Sequence, residues 1–266
     1  MRRGWMALAT LTAALIVTPS GPTRAADDEP NLELAYPLVT RRPVIERELE
    51  LRIDHTKNRG GRETRVAPAV ELPLLPRWQI EVSVPFLFTD PHDGPAMAGP
   101  GDVEIENKVL LFKSLEHRML VAAGFEARLP TGSERRGLGG EASLEPFLTA
   151  GLALGRFDVL ASVAYELNVN AHVHGEHERE VTASTAAVYW LTRRFAPLLE
   201  VTTVRLTHGH EEEGGPSLRG RTQIYLTPGF NAKLLPRTTL RLGLELPVTG
   251  AKKFDYALRG GMVREF

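Results

Sequence analysis

A two-residue hydrophobic period recurs through the body of this chain and narrows its fold more than any other feature. Leu49, Leu51 and Ile53 alternate with Glu48, Glu50, Arg52 and Asp54. Trp78, Ile80, Val82, Val84 and Phe86 alternate with Gln79, Glu81 and Ser83, and Leu240, Leu242, Leu244 and Leu246 with Arg241 and Glu245. A strand turns successive side chains to opposite faces, so each such stretch predicts a strand with one apolar and one polar face. The pattern recurs about twelve times, near residues 45–54, 65–74, 78–86, 103–111, 119–129, 144–154, 157–167, 181–191, 195–206, 222–230, 240–246 and 255–266. No apolar run in the body approaches the ~20 residues of a membrane helix.

The connections alternate in length. Short ones are expected near 75–77, 113–117, 155–156, 192–194 and 234–238. Long ones are expected near 55–63, 88–101, 130–142, 168–180, 207–221 and 248–254. Short turns on one side and long loops on the other are the rhythm of a membrane barrel. The expected fold is all-β: a transmembrane antiparallel up-and-down β-barrel of about 12 strands. An even strand number puts both ends of the barrel on the periplasmic side. Trp78, Phe157, Tyr189, Phe195 and Phe266 fall at short-turn ends, where an aromatic girdle belongs. A soluble barrel would bury its apolar face instead of showing it to lipid. The loop rhythm and the acids and arginines crowding the polar faces favour lipid.

The last stretch, 255–266, places Tyr256, Leu258, Met262 and Phe266 on one parity. A closing strand that ends on Phe resembles that of bacterial outer-membrane barrels. The resemblance implies the outer membrane of a Gram-negative-type bacterium, its lipids as surroundings, and the barrel-assembly machinery as a partner through the strand ending at Phe266.

At the other end, Arg2-Arg3, an apolar stretch over 6–17 and the small residues Ala25 and Ala26 predict a signal peptide over 1–25. Residues 26–43 are expected to form a periplasmic N-terminal segment and 44–266 the barrel; two placements are open to the proline-bearing stretch Pro30 to Arg42, plugging the lumen or hanging in the periplasm. The absence of cysteine excludes disulfides and thiolate metal sites. A formal net charge of −1 gives no electrostatic case for nucleic acid.

The polar faces hold the candidate functional residues. Glu81, Asp102, Glu104, Glu106, Lys108, Glu126, Arg128, Glu166, Glu200, Arg241 and Glu245 should line the lumen. Twelve tilted strands give a backbone radius of roughly 12 Å, which long side chains fill in large part. Two readings follow: a narrow, acid-biased pore selecting small solutes by charge, or a lumen plugged by ion pairs. A second candidate is a pair of histidine-rich loops, with His172, His174 and His177 in one and His208 and His210 in the other. With adjoining carboxylates they offer nitrogen and oxygen ligands to zinc, copper or nickel at the extracellular mouth. No other cofactor is expected. No catalytic group is expected either: Ser162 and Ser184 have no histidine on a neighbouring strand face, so the serine–histidine pairing of a hydrolase is missing.

Three motifs occur in order: Gly99-Pro-Gly-Asp102 leading into an alternating strand, Phe125-Glu-Ala-Arg-Leu-Pro-Thr-Gly132, and Leu226-Thr-Pro-Gly229 continuing to Leu246-Pro-Val-Thr-Gly250. They resemble the transporter-like outer-membrane family named for the meta-pathway of phenol degradation. The resemblance implies a barrel and a channel for small, aromatic or hydrophobic molecules. It implies no catalytic residues.

Overall fold

The structure, a computed structural model, describes residues 32–169, 179–208 and 218–266. The chain divides into two units, Met1–Pro30 and Asn31–Phe266. The expected signal peptide lies outside the described residues.

The second unit is a closed antiparallel barrel. Its segments are β1 (Glu48–Asn58), β2 (Gly61–Leu75), β3 (Trp78–Ser83), β4 (Phe86–Pro91), β5 (Met97–Pro100), β6 (Val103–Ser114) and β7 (Met119–Leu129). They continue as β8 (Ser143–Leu154), β9 (Phe157–Asn168), β10 (Arg179–Tyr189), β11 (Phe195–His208), β12 (Thr222–Leu235), β13 (Thr238–Pro247) and β14 (Tyr256–Glu265). β3 and β4 both pair with β2 and form one stave interrupted at Val84-Pro85. β5 and β6 form another, interrupted at Gly101-Asp102. Proline cannot donate to a ladder, so an interruption at Pro85 costs no available bond. The fourteen segments therefore make twelve staves, and pairing of β1 with both β2 and β14 closes the ring, with the short β5, paired to β4 alone, at the rim.

The alternation sets the register. Glu48, Glu50, Ala67, Ala69 and Glu71 are buried inside, whereas Leu49, Ile53, Val70 and Leu72 stand exposed outside. Around the ring the outer surface carries Phe86, Leu148, Val163, Leu199, Leu242, Leu258 and Met262, all exposed. An exposed apolar band of this kind belongs in lipid. Phe157 and Tyr189 lie in tilted contact, centroids 4.6 Å apart, at the short-turn end, and Trp78, Phe195 and Phe266 lie exposed at the same end.

Two connections differ from expectation. The loop expected over 55–63 is the two-residue turn Arg59–Gly60, because β1 and β2 continue pairing as far as Asn58 and Gly61. The loop expected over 88–101 shrinks to 92–96, because β4 runs to Pro91 and β5 starts at Met97. Both extensions carry polar residues on the outer face, such as Lys57, Arg62 and Asp90. Polarity there marks strand beyond the lipid band rather than the end of the strand. A 15-residue strand such as β2 is about 50 Å long, longer than the ~30 Å hydrocarbon core.

Candidate functional site

The lumen is occupied. Residues 32–47, placed by the sequence in the periplasm as far as 43, thread the interior and add no strand to the wall. Leu32, Leu34, Ala35, Tyr36, Thr40 and Val44 are all buried. At the short-turn end the segment packs on inward apolar residues: Leu110, Leu120, Ala122, Ala153, Leu160, Val188 and Leu198. Glycines make room. A side chain at Gly151 would collide with Leu34, and one at Gly229 would come within 2.7 Å of Leu38, which also sits on Gly243.

Carboxylates of the wall hold the backbone of this segment. Glu200, fully buried, accepts the amides of Leu38, Val39 (3.1 Å) and Thr40 (2.8 Å), and the Thr40 hydroxyl at 2.8 Å. A carboxylate so encircled compensates its burial, since each amide bond to the anion is charge-assisted. Asp158 accepts the Ala35 amide at 3.0 Å and the Trp190 indole N–H at 2.8 Å. Arg241 donates to the Pro37 carbonyl and pairs with Glu50. The segment's own arginines reach the wall in turn. Arg41 binds Glu106, Glu126 (3.1 Å) and Glu145 and lies 4.4 Å over the Phe147 ring. Arg42 binds Glu46 (2.6 Å) and Glu48 (3.2 Å) and lies 4.0 Å over Tyr36.

Toward the long loops the lumen is lined by charged side chains paired with one another. Arg65 bridges Glu104 and Asp54, Arg128 reaches Glu104, Glu141 and Glu166, and Arg259 joins Asp54 to Glu245. Between the segment and the wall lies a cavity of about 250 Å³. Arg41, Arg52, Glu81, Lys108, Glu126 and Ser184 are among its lining residues. At the mouth, Phe254 stacks on Tyr225 at 4.5 Å.

The expected lumen residues thus divide by task. Glu106, Glu126, Glu200 and Arg241 grip residues 37–41. Glu81, Glu104, Lys108, Arg128, Glu166 and Glu245 take part in wall ion pairs. Asp102 instead organises a loop: its carboxylate accepts the amides of Gly132 (2.8 Å), Gly140 (2.9 Å) and Glu141 (3.1 Å). Of the loop histidines, His172, His174, His177 and His210 lie outside the described residues, and His208 is the exposed end of β11. Among the described residues no three His, Asp or Glu side chains are arranged so as to hold a metal ion. Ser162 and Ser184 face the lumen and bond each other at 2.8 Å.

The sequence reading missed Arg41, Arg42, Asp158 and the inward apolar set. A hint was present: near the short turns, Leu110, Leu120, Leu160, Val188 and Leu198 fall on the parity that is otherwise polar. Apolar residues facing into a lumen need something apolar to cover them.

Solved structures match this fold. The COG4313 outer membrane channel from Pseudomonas putida F1 aligns with a TM-score of 0.64 at 12% identity, covering 88% of this chain and 100% of that one. The NanC porin aligns with a TM-score of 0.58 at 10% identity, covering 82% and 99%. The KdgM porin aligns with a TM-score of 0.52 at 10% identity, again covering 82% and 99%. No protein-family model matches the chain, and no curated protein sequence does. Closed ring and lipid-facing band together make this a transmembrane β-barrel, and its fold is like that of these outer-membrane channels and porins.

Proposed function

We propose that this barrel is a narrow channel for small polar solutes, closed in the described state by residues 32–47. One observation carries the reading: the lumen is filled by a segment that pairs with no strand, rather than by the wall's own side chains. Its bonds to the wall are ion pairs and carboxylate–amide bonds, which water and solute ions can replace. The likeness to channels and porins supports the same reading. The open part of the lumen is lined by carboxylates, guanidiniums and hydroxyls, so we assign polar solutes rather than the aromatic or hydrophobic ones that the sequence resemblance implied. Planar-bilayer conductance and liposome swelling test it, comparing the full barrel with a variant lacking residues 32–43. The expected result is low conductance in the full barrel and a several-fold rise in the variant. A barrel that conducts in neither form is structural, and the proposal then fails.

A further inference from the structure

The strand register assembles a feature that no single strand carries. Glu265 of β14 lies opposite Glu48 of β1, and Glu48 opposite Glu71 of β2. Glu71 lies opposite Glu81 of β3, and Glu81 opposite Glu106 of β6. Glu106 faces Glu126 of β7, and Glu126 faces Glu145 of β8. The pairs on either side, Leu144 with Leu167 and Phe147 with Ala164, bring Glu145 across from Glu166 of β9. Glu166 lies opposite Glu180 of β10. All these side chains point inward. Strands of a barrel are tilted and staggered, so a row that follows the ladder climbs as it goes round. This one starts at the last residue of β14, beside the short turns, and ends at the second residue of β10, beside the long loops. It is a glutamate staircase from one mouth to the other, with steps one strand spacing apart, roughly 4.8 Å.

Like charges directly opposite each other destabilise a sheet, so such a row needs cations along its length. Wall residues serve some steps: Lys108 at Glu71 and Glu106, Arg52 at Glu81, Arg128 at Glu166 and Lys253 at Glu180. The lumen segment serves the others. Arg42 is the ion-pair partner of Glu48, and Arg41 of Glu126 and Glu145, with no second base paired to any of these three among the described residues. Tyr36 donates its hydroxyl to Glu265 at 2.9 Å.

We propose that the staircase is a track for cationic solutes bearing amines or guanidiniums, and that Arg41 and Arg42 occupy it as tethered stand-ins for them. The proposal names the solute class of the channel and rests on that reading. When the segment withdraws, Glu48, Glu126 and Glu145 lose their counter-charges in a confined lumen, where the loss is felt far more than in water. An entering oligoamine restores them step by step. Its ammonium groups, a few bonds apart, are spaced comparably with neighbouring strands. Solute entry and segment release are then two sides of one exchange: the cation competes with Arg41 for the same carboxylates.

The test uses the full barrel refolded in detergent and in planar bilayers. Hydrogen exchange at the amides of Leu38, Val39 and Thr40 reports release of the segment. Spermidine should accelerate it at least tenfold over sodium chloride of equal ionic strength, whereas a polyol of similar length and a tricarboxylate should not. In the E126Q/E145Q variant the response to spermidine should vanish. Heat-modifiable migration establishes that the variant folds, and E166Q/E180Q, which removes two steps outside the segment's reach, should weaken the response by a smaller factor. Acceleration matched by sodium chloride, or undiminished in E126Q/E145Q, overturns the track. In bilayers the cation-to-anion permeability ratio should exceed one and rise when residues 32–43 are deleted. A barrel that conducts without that preference overturns the track and leaves the channel standing. One that never conducts, even with residues 32–43 deleted, overturns the channel and the track with it.

Discussion

The two halves of the lumen solve the same problem in different ways. Toward the short turns the interior is apolar and closely packed. Leu34, Ala35 and Val44 pack on Leu110, Leu160 and Val188, and the carboxylates of Asp158 and Glu200 are bonded to backbone amides of the segment. Toward the long loops the interior is a lattice of side-chain ion pairs among Asp54, Arg65, Glu104, Arg128, Glu245 and Arg259. In the first half, removing one partner strands a buried group. In the second, the lattice supplies second partners: Asp54 and Glu104 each meet two arginines. The difference teaches where a closure is stored: in the groups that the wall alone does not satisfy once the segment moves.

Arg41→Met should break the contrast most severely. It leaves Glu106, Glu126 and Glu145 facing one another without their shared cation, and loss of one member of a buried ion pair costs about 3–5 kcal/mol. Hydrogen exchange over residues 32–47 should quicken accordingly, and bilayer current should rise. Glu200→Leu comes next. Three amides and the Thr40 hydroxyl lose their acceptor, for about 3 kcal/mol of segment docking. Exchange at Thr40 should be the most accelerated; unchanged exchange there would contradict the assigned anchor. Gly243→Leu fills the hollow that receives Leu38 and should cost about 1–3 kcal/mol by overpacking, read as protease sensitivity of residues 32–47 with the barrel intact. The smallest effect belongs to the other half. Arg65→Gln loses ion pairs to Asp54 and Glu104, but these keep Arg259 and Arg128 as second partners, so the loss is about 1 kcal/mol in urea unfolding from vesicles. A loss there as large as that of Arg41→Met would erase the distinction between the two halves.

Much of the wall was legible because alternation is a local property. The strand from Met119 to Leu129 coincides with its expected bounds, and the outward parity of Tyr256, Leu258, Met262 and Phe266 follows from spacing alone. The turn at Arg59–Gly60 was not legible, since strand that extends into water on both faces loses its apolar row and reads as loop. Parity assigns Asp102 to the lumen and says nothing of the loop amides that curl onto it.

Alternation implies a barrel with lipid outside and charge within, because the two-residue period fixes which face each side chain takes. What fills the ring follows from contacts between distant parts of the chain. Residues 32–47 have no period that marks them as an interior segment, and their partners lie far away in the chain, as with Leu38 at Glu200 and Arg41 at Glu145. The glutamate staircase is of the same kind. Each of its residues was visible as one polar position on one strand, but only the registers of nine neighbouring strands place them side by side.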